Sequence, residues 1–559
     1  ELTREIDAPI ANMRMGEAVV IVGDVNADGL NDIIAHASRD SSLHHEAGRT
    51  YLITRGPEPP PEEGEDLPEP AMDAGAPEEP PIVDLFTPID FPRRVGAGRF
   101  GQGVSLVGDV TGDGIEDVVV AASFVATNGI RSGGAWLYPG AADGVNPEGQ
   151  FLGGYPNHSA SDLTWSATGI GDFDGDGHND FAVLVRDDER PTDRDLGNAP
   201  WAAPAEACMP RGYNTGGIYV FLGGGDGAMQ PHPSFAYYEG MPGLSPEKIS
   251  GGFDFDGDGL GDIVVGGYRW DPAGRNNAGA TYVITGRAFT AEADRIQVIC
   301  DTYYRYEGSQ AGMESGRAVT ALGDLNGDGC DEFATGSRLE DREGAQDEGG
   351  VRILYGFGAE GCPPGPRMLR MATAERSSQT GWSLASGDFD DDGLPDLAVG
   401  AWQRRSENIP VGGAWVVPGS YLSGQAPRSI GLGDSEEPLL LNQWGPEWLV
   451  TGQVRDAQAG YSVAFAGPFL AVGAPQAPSS GVARAGMVRI YRVRPDGIDA
   501  EPVAIMVGET ARPNGRAGYE LSGGLIDGQP VFVVSSLFGN GTGLDNGSAY
   551  VLRLDAIGD

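Results

Sequence analysis

The sequence DFDGDGHND at residues 172–180 recurs five more times along the chain with few changes. The other copies are DVNADGLND from Asp24, DVTGDGIED from Asp109, DFDGDGLGD from Asp254, DLNGDGCDE from Asp324 and DFDDDGLPD from Asp388. Successive copies begin between 63 residues (Asp109 to Asp172) and 85 residues (Asp24 to Asp109) apart. This spacing indicates an array of similar units along the 559 residues, not a few unrelated domains.

The segments around each acidic phrase predict β-strands. A run of small and β-branched residues such as GQGVSLVGD precedes it, and an apolar run such as DVVVAAS follows it. A variable loop, a glycine-led strand such as GGAWLYPG and a less regular extended segment complete the unit. Four consecutive antiparallel strands are typical of one blade of a β-propeller.

Two more units, from Gly460 and Gly518, keep this frame without the acidic phrase. We therefore predict an all-β, eight-bladed propeller of four-stranded antiparallel blades, forming a single domain over residues 1–559; seven blades are the alternative. The eighth unit stops after its third strand, so we expect the N-terminal segment ELTREIDAPI to complete that blade and close the ring. The same strand could pair with a second copy and cause self-association.

The repeats resemble the FG-GAP family, best known from the β-propellers of integrin α-subunits. Phe100-Gly101 and Gly473-Ala474-Pro475 carry the two motifs of the family name most literally. The resemblance covers essentially the whole chain. Integrin α propellers have seven blades and bind calcium in only some of them, so eight units and six acidic loops are a departure.

The acidic phrase has the spacing of a calcium loop. Oxygen atoms at positions 1, 3, 5 and 9 and the backbone carbonyl of position 7 can surround one hard cation, and glycine at position 6 permits the turn. An all-oxygen set of this size suits Ca²⁺ better than Mg²⁺ or Zn²⁺. The predicted ligands are Asp24, Asn26, Asp28, Leu30, Asp32, Asp109, Thr111, Asp113, Ile115, Asp117, Asp172, Asp174, Asp176, His178, Asp180, Asp254, Asp256, Asp258, Leu260, Asp262, Asp324, Asn326, Asp328, Cys330, Glu332, Asp388, Asp390, Asp392, Leu394 and Asp396.

Two other interpretations of the loops were weighed. An EF-hand needs a glutamate at position 12, where this chain has alanine, valine or threonine, so that motif is excluded. An acidic β-turn without metal is the simpler alternative, but six copies in register favour about six calcium ions. Extracellular calcium modules bind with Kd values of about 10⁻⁴ to 10⁻³ M, so such sites would stay empty in the cytosol. We expect a secreted or cell-surface protein or, in a bacterium, a periplasmic one.

Composition limits the partners. The formal net charge of −44 excludes a nucleic-acid binder that depends on phosphate attraction. No apolar segment is long and uninterrupted enough to predict a membrane span. The chain begins at Glu1 without an initiator methionine, and we expect it to be a processed chain whose export signal has been removed.

Blade topology assigns the four cysteines to two pairs. Cys330 and Cys362 fall on loops at the same face of unit 5, and Cys208 and Cys300 fall at the opposite face of units 3 and 4. We predict these two disulfides, with free buried thiols as the alternative. Cys300 is expected at the end of the fourth strand of unit 4.

One insert and several long loops remain. Residues 57–81 form an acidic, proline-rich insert in the first blade, interpreted as a solvated spacer or as a contact arm. Loops at the face opposite the acidic phrases carry Trp201, Tyr268, Trp270 and Trp402, which suit sugar or protein contacts unless each packs under its own loop. Trp444 and Trp448 are expected to be structural.

The sequence favours a calcium-stabilised extracellular binding or scaffold protein, acting in adhesion or in a surface assembly, with a protein or polysaccharide ligand. It contains no nucleophile elbow, zinc motif or phosphate loop, so an enzyme is the less favoured interpretation. The alternative is a calcium-dependent polysaccharide lyase or another carbohydrate-active enzyme. His44, His45, His158 or His232 beside an arginine could supply its base.

Overall fold

The structure is a computed structural model that describes part of the chain. The described residues are 3–7, 15–37, 49–57, 82–89, 100–122, 126–127, 130–131, 134–142, 144–146, 149–152, 162–186, 216–224, 234–237, 246–287, 297–299, 303–342, 344–358, 362–423, 428–429, 439–441, 445–479, 482–508, 515–536 and 548–554.

Eight small antiparallel sheets confirm the predicted eight-bladed propeller. The first four blades consist of Met15–Ile21, Ile33–Ala37, Arg49–Pro57 and Ile82–Ile89; Phe100–Gly108, Asp117–Ala122, Gly134–Tyr138 and Gln150–Leu152; Asp162–Gly171, Asp180–Arg186, Gly217–Phe221 and Phe235–Tyr237; and Lys248–Phe253, Asp262–Gly267, Ala280–Ile284 and Tyr304–Glu307. The last four consist of Ser315–Gly323, Glu332–Ser337, Gly350–Tyr355 and Arg367–Ala372; Ser383–Gly387, Asp396–Gly400, Gly413–Val417 and Leu449–Thr451; Ser462–Ala466, Phe469–Ala474, Met487–Arg494 and Ala504–Val507; and Ala517–Ile526, Gln529–Ser536, Ser548–Arg553 and Thr3–Asp7.

The ring closes as the sequence predicts. Each first strand contacts the first strand of the next blade, and the first strand of blade 8 contacts that of blade 1. The N-terminal strand Thr3–Asp7 pairs antiparallel with Ser548–Arg553, with Thr3 opposite Leu552. It therefore completes the eighth blade of its own chain, and exchange of this strand between copies stays a prediction.

The core lies between the blades. The second strand of blade 2, Asp117–Ala122, is buried at every residue because both of its faces pack against neighbouring blades. Val119 packs in a cluster with Val183 of blade 3, while Val118 packs in another with Ile34 of blade 1. Continuous apolar strands thus fix the blades side by side and set the acidic loops at one face of the ring.

Two blades carry additional outer strands. Gln297–Ile299 pairs in parallel with Phe235–Tyr237 of blade 3, and Arg428–Ser429 and Leu439–Leu440 pair with Arg367–Ala372 of blade 5. The expected position of Cys300 at the end of the fourth strand of blade 4 is therefore wrong, because that strand is Tyr304–Glu307. Cys208 and Cys300 lie outside the described residues, so their pairing stays a prediction.

The chain also forms short strand pairs and helices in addition to the four strands of each blade. Short strand pairs are Ala126–Thr127 with Ile130–Arg131, Gly140–Ala141 with Gly144–Val145, Arg405–Ser406 with Ile409–Pro410, and Gly497–Ile498 with the end of Met487–Arg494. In the part of the chain that the structure describes, the helices are Pro272–Gly274, Gly419–Ser423 and Pro446–Trp448. Within the described ranges, none of the helices has the length and apolar character needed to cross a membrane. Pro57 pairs with Ile82, so the two ends of the acidic insert are adjacent, while residues 58–81 are not among those described.

Candidate metal centres

Each of the six acidic loops joins the first strand of a blade to the second. Position 6 of every loop is a glycine with a positive φ, between 83° at Gly393 and 90° at Gly177. An added Cβ at Gly177 or Gly393 would meet no atom within 4 Å, so these positions need glycine for its backbone conformation and not for space. The tight turn directs the acidic side chains of the loop inward.

Backbone amides of the loop hold the position 1 carboxylate in place. In blade 3, the amides of Asp176 and Gly177 donate hydrogen bonds to the two oxygens of Asp172, at 3.1 and 2.9 Å. The position 5 side chain, Asp176, accepts a bond of 2.9 Å from the amide of His178. The same bonds recur in all six loops. The loops therefore share one conformation.

In three loops the carboxylates at positions 1, 3 and 9 converge. One oxygen from each lies within 4.8 Å of the others in the sets Asp172, Asp174 and Asp180; Asp254, Asp256 and Asp262; and Asp388, Asp390 and Asp396. These are the loops that have aspartate at position 3. The other three have asparagine or threonine there, at Asn26, Thr111 and Asn326.

Buried oxygens in the loops test whether a cation fits. One carboxylate oxygen of each of Asp32, Asp256 and Asp390 is buried and has no hydrogen-bond partner. An unpartnered buried carboxylate oxygen is costly, and a hard cation would satisfy it. The donor set is all oxygen, so the residues fit a calcium ion.

In five of the six loops the position 9 carboxylate connects the loop to the end of the third strand of its own blade. Asp262 accepts a hydrogen bond of 2.7 Å from the amide of Phe255, at position 2, and one of 2.8 Å from the amide of Gly286, just after the third strand. Blades 2, 3, 5 and 6 repeat this arrangement through Asp117, Asp180, Glu332 and Asp396.

Burial makes these position 9 groups poor anions in the absence of a counter-charge. It raises the pKa of Asp32, Asp180 and Asp262 to about 8 and that of Glu332 to about 9. The pKa values of Asp117 and Asp396 rise to about 6 and about 7 for the same reason. A bound divalent cation would supply the missing positive charge.

The loops also connect neighbouring blades. The backbone carbonyl at position 2 accepts a hydrogen bond from the blade that follows: Val25 from Ala141, Val110 from Gly224, Phe173 from Arg287 and Phe255 from Phe357, at 2.7 to 3.1 Å. The loops of blades 2, 3 and 4 therefore contact the third-strand ends of two blades. A cation that orders the loop would stabilise the junction between blades as well as the loop itself.

A disulfide lies beside two of the loops. Cys330, at position 7 of the loop in blade 5, is bonded to Cys362, with a Cα–Cα distance of 5.9 Å. An added Cβ at Gly257, in the loop of blade 4, would collide with both sulfur atoms. The disulfide therefore fills the space between the two loops.

The opposite face gathers aromatic side chains around the first strands. Ring centroids lie 5.0 Å apart for Trp382 and Trp402, 5.2 Å for Trp382 and Tyr461, and 5.0 Å for Tyr461 and Tyr519. With Tyr268, these four half-buried residues form what we call the aromatic arc. Sequence reasoning singled out Tyr268 and Trp402 but missed the other three, whose signal was an aromatic residue after glycine at the start of units 6, 7 and 8.

The other aromatic residues that the sequence analysis named either pack in the interior or lie outside the described residues. Trp270 is buried, with the guanidinium of Arg305 5.0 Å from its ring centre. Trp448 packs in the core near Phe389, as expected. Trp201 and Trp444 lie outside the described residues, as do His44, His45, His158 and His232.

Comparison with known proteins identifies the repeat. A model of the FG-GAP repeat matches residues 245–284, 315–354 and 380–404, which belong to blades 4, 5 and 6. The chain thus contains FG-GAP repeats, as the sequence motifs predict.

Similar proteins fall into two groups. Phosphatidylinositol-glycan-specific phospholipase D of Bos taurus is 27% identical over 232 residues, covering 41% of this chain and 26% of the phospholipase. The Homo sapiens phospholipase is 26% identical over 248 residues, covering 44% of this chain and 28% of its own length. Integrin alpha-PS2 of Drosophila melanogaster is 32% identical over 164 residues, covering 27% of this chain and 11% of the integrin. Each alignment spans less than a third of the relative, and the chain is homologous to both groups over these propeller segments.

Proposed function

We propose that the chain is a calcium-stabilised extracellular binding protein that acts in adhesion or in a cell-surface assembly. The observation that carries the proposal is the convergence of three carboxylates in each of three loops, two of which are hydrogen-bonded to the following blade. Similarity to integrin α chains supports adhesion. The predicted ligands at positions 1, 3, 5, 7 and 9 of all six loops are part of this proposal.

Calcium would stabilise the ring by binding the folded state and not the unfolded chain. At a calcium concentration of ten times Kd, each site would contribute about 1.4 kcal/mol, or about 8 kcal/mol for six sites. A folded domain has a total stability of about 5–15 kcal/mol, so calcium would supply a large part of it. At Kd values of about 10⁻⁴ to 10⁻³ M this requires extracellular calcium. The disulfide between Cys330 and Cys362 supports an oxidising location.

The tyrosines of the aromatic arc favour a binding role over a catalytic one. Burial raises the pKa of both Tyr268 and Tyr461, so neither phenol is suited to act as a base at neutral pH. Half-buried aromatic rings in contact with one another offer an extended contact surface instead.

Thermal unfolding of the full chain tests the proposal. We expect the Tm to fall by more than 10 °C when a chelator removes calcium, to recover with added calcium and to recover less with magnesium, because Mg²⁺ accepts fewer protein ligands. An unchanged Tm in chelator would contradict the proposal.

A further inference from the structure

Two basic side chains that lack a carboxylate partner among the described residues lie close to each other at the mouth of the central channel, which the eight first strands line, on the face that carries the aromatic arc. Lys248, the single lysine of the chain, begins the first strand of blade 4, and Arg317 lies on the first strand of blade 5. Among the described residues, neither side chain forms an ion pair with a carboxylate. In a chain with 81 acidic and 37 basic residues, two adjacent unpaired cations are unexpected.

Other arginines at this face do have carboxylate partners. Arg338 pairs with Glu314, and Arg404 pairs with Glu375 at 3.1 Å. Arg269 lies 3.5 Å from Glu247. Lys248 and Arg317 thus differ from these arginines in having no carboxylate partner among the described residues.

The surroundings of Lys248 show that it faces the channel. Lys248 is exposed to solvent, but the strands that line the channel partly desolvate its amine and so lower its pKa, and the positive charge of Arg317 lowers the pKa further. Glu247 and Glu520 lie within electrostatic reach of the amine without contacting it at ion-pairing distance. The amine is therefore accessible to a ligand that enters the channel mouth.

Aromatic rings hold Arg317 in place. Its guanidinium carbon lies 4.1 Å from the ring centre of Trp382 and 5.3 Å from that of Tyr268. A guanidinium stacked on an indole keeps its N–H groups directed outward in the plane of the group, where they can donate two parallel bonds to a carboxylate. The arrangement favours an anion with a planar, two-oxygen head.

The rest of the aromatic arc indicates a second property of the ligand. From Trp382, the rings of Tyr461 and Tyr519 continue across blades 7 and 8 at centroid separations of 5.2 and 5.0 Å. Flat aromatic faces suit the C–H faces of successive pyranose rings, while a peptide carboxylate needs the cations alone. The combination favours a saccharide that carries carboxylates.

We propose that the channel mouth binds an acidic polysaccharide, with a uronate carboxylate at Lys248 and Arg317 and pyranose rings against Tyr461 and Tyr519. This deepens the binding role proposed above and rests on it. Calcium at the acidic loops acts on the other face of the ring and stabilises the scaffold that presents the site.

Isothermal titration of the full chain with short oligogalacturonates tests this site. Short oligomers are used because calcium cross-links longer uronate chains, and neutral maltooligosaccharides serve as the uncharged comparison. We expect the chain to bind the oligogalacturonates and not the maltooligosaccharides. Arg317→Gln and Lys248→Gln should each weaken this binding about tenfold or more, and Lys248→Arg should retain it. Arg405→Gln is the matched control, since Arg405 is exposed on the same face in a loop of blade 6.

Three results would overturn the inference. These are absence of oligogalacturonate binding, equal weakening by Arg405→Gln, or equally tight binding of poly-glutamate through Lys248 and Arg317, which would make the ligand an acidic peptide. The Tm of every sample is measured with calcium and with chelator. A retained calcium shift without uronate binding overturns this inference alone, whereas loss of the calcium shift overturns the proposed function.

Discussion

The Sγ atom of Cys362 lies 3.5 Å from the backbone carbonyl oxygen of Asp256, a residue of the neighbouring blade. Asp256 is position 3 of the acidic loop in blade 4, and the disulfide partner Cys330 is position 7 of the loop in blade 5. The disulfide therefore cross-links blade 5 beside its own acidic loop and packs against the acidic loop of blade 4. It connects the redox state of the chain to the geometry of both loops.

Removal of this disulfide should affect two sites and not the others. The double variant Cys330→Ser, Cys362→Ser opens a cross-link between residues 32 apart, so we expect a loss of about 4 kcal/mol in the free energy of unfolding. Calcium titration should show two sites weakened several-fold and the remaining sites unchanged. Uniform weakening of every site, or none, would contradict the role of the disulfide.

Neighbouring aspartates in the loop of blade 6 provide a matched pair. Asp390 has a buried, unpartnered oxygen and converges with Asp388 and Asp396, whereas Asp391 is exposed and lies outside the ligand set. Asp390→Asn should raise the calcium Kd of this loop about tenfold, because it removes a charge from the site. Asp391→Asn should leave it unchanged, and calcium titration of both variants compares them directly. Similar effects of the two substitutions would argue against a specific ion site.

The junction between blades 3 and 4 depends on a glycine. A Cβ at Gly286 would lie 2.8 Å from the carbonyl oxygen of Phe173 and 2.6 Å from the Cβ of Leu260, whereas a Cβ at Gly365 would meet no atom within 4 Å. Gly286→Ala should reduce the free energy of unfolding by about 1–3 kcal/mol. Gly365→Ala should change it little. Chemical denaturation in saturating calcium measures both, and equal stabilities would contradict the packing of the junction.

The pH dependence of metal-free protein should follow the buried carboxylates. The pKa values of Asp32, Asp180 and Asp262 are about 8 in the folded chain, against an ordinary value of 3.8. Between about pH 4 and pH 8 the folded state therefore holds protons that the unfolded chain has released, so the free energy of unfolding falls as pH rises. The Tm of protein dialysed free of metal should drop from pH 5.5 to pH 8.

Calcium binding should become stronger as the pH rises, because calcium competes with protons for the same carboxylates. The calcium-induced rise in Tm should grow as the pH increases over that interval. A Tm that rises with pH in the absence of metal, or a calcium shift independent of pH, would show that the position 9 groups are not protonated in the metal-free fold.

Much of the fold could be predicted because the repeat is local and regular. Each acidic phrase marks the turn between two strands, and counting the units gave eight blades and the closing role of Thr3–Asp7. The additional outer strands could not be predicted, because Gln297–Ile299 joins blade 3 from a segment after the third strand of blade 4. Such pairing depends on which sheet edge is open in three dimensions, and no sequence period records it. The error about Cys300 has the same origin.

The candidate calcium sites could be predicted from the sequence more readily than the aromatic arc. The metal ligands are contiguous in sequence, and their spacing alone brings Asp254, Asp256 and Asp262 together. In the aromatic arc, Trp382, Tyr461 and Tyr519 come from three successive blades and are separated by 79 and 58 residues, so an aromatic residue such as Trp382 or Tyr519 carries little signal by itself. The packing of consecutive blades against one another places these side chains side by side.

The number of calcium ions bound to the native chain tests the central claim most directly. Equilibrium dialysis against millimolar calcium, with metal content measured by mass spectrometry, should give about six ions per chain, and simultaneous neutralisation of Asp180, Asp262 and Asp396 by asparagine should remove about three. A chain that stays folded and binds no calcium at these concentrations would contradict the account.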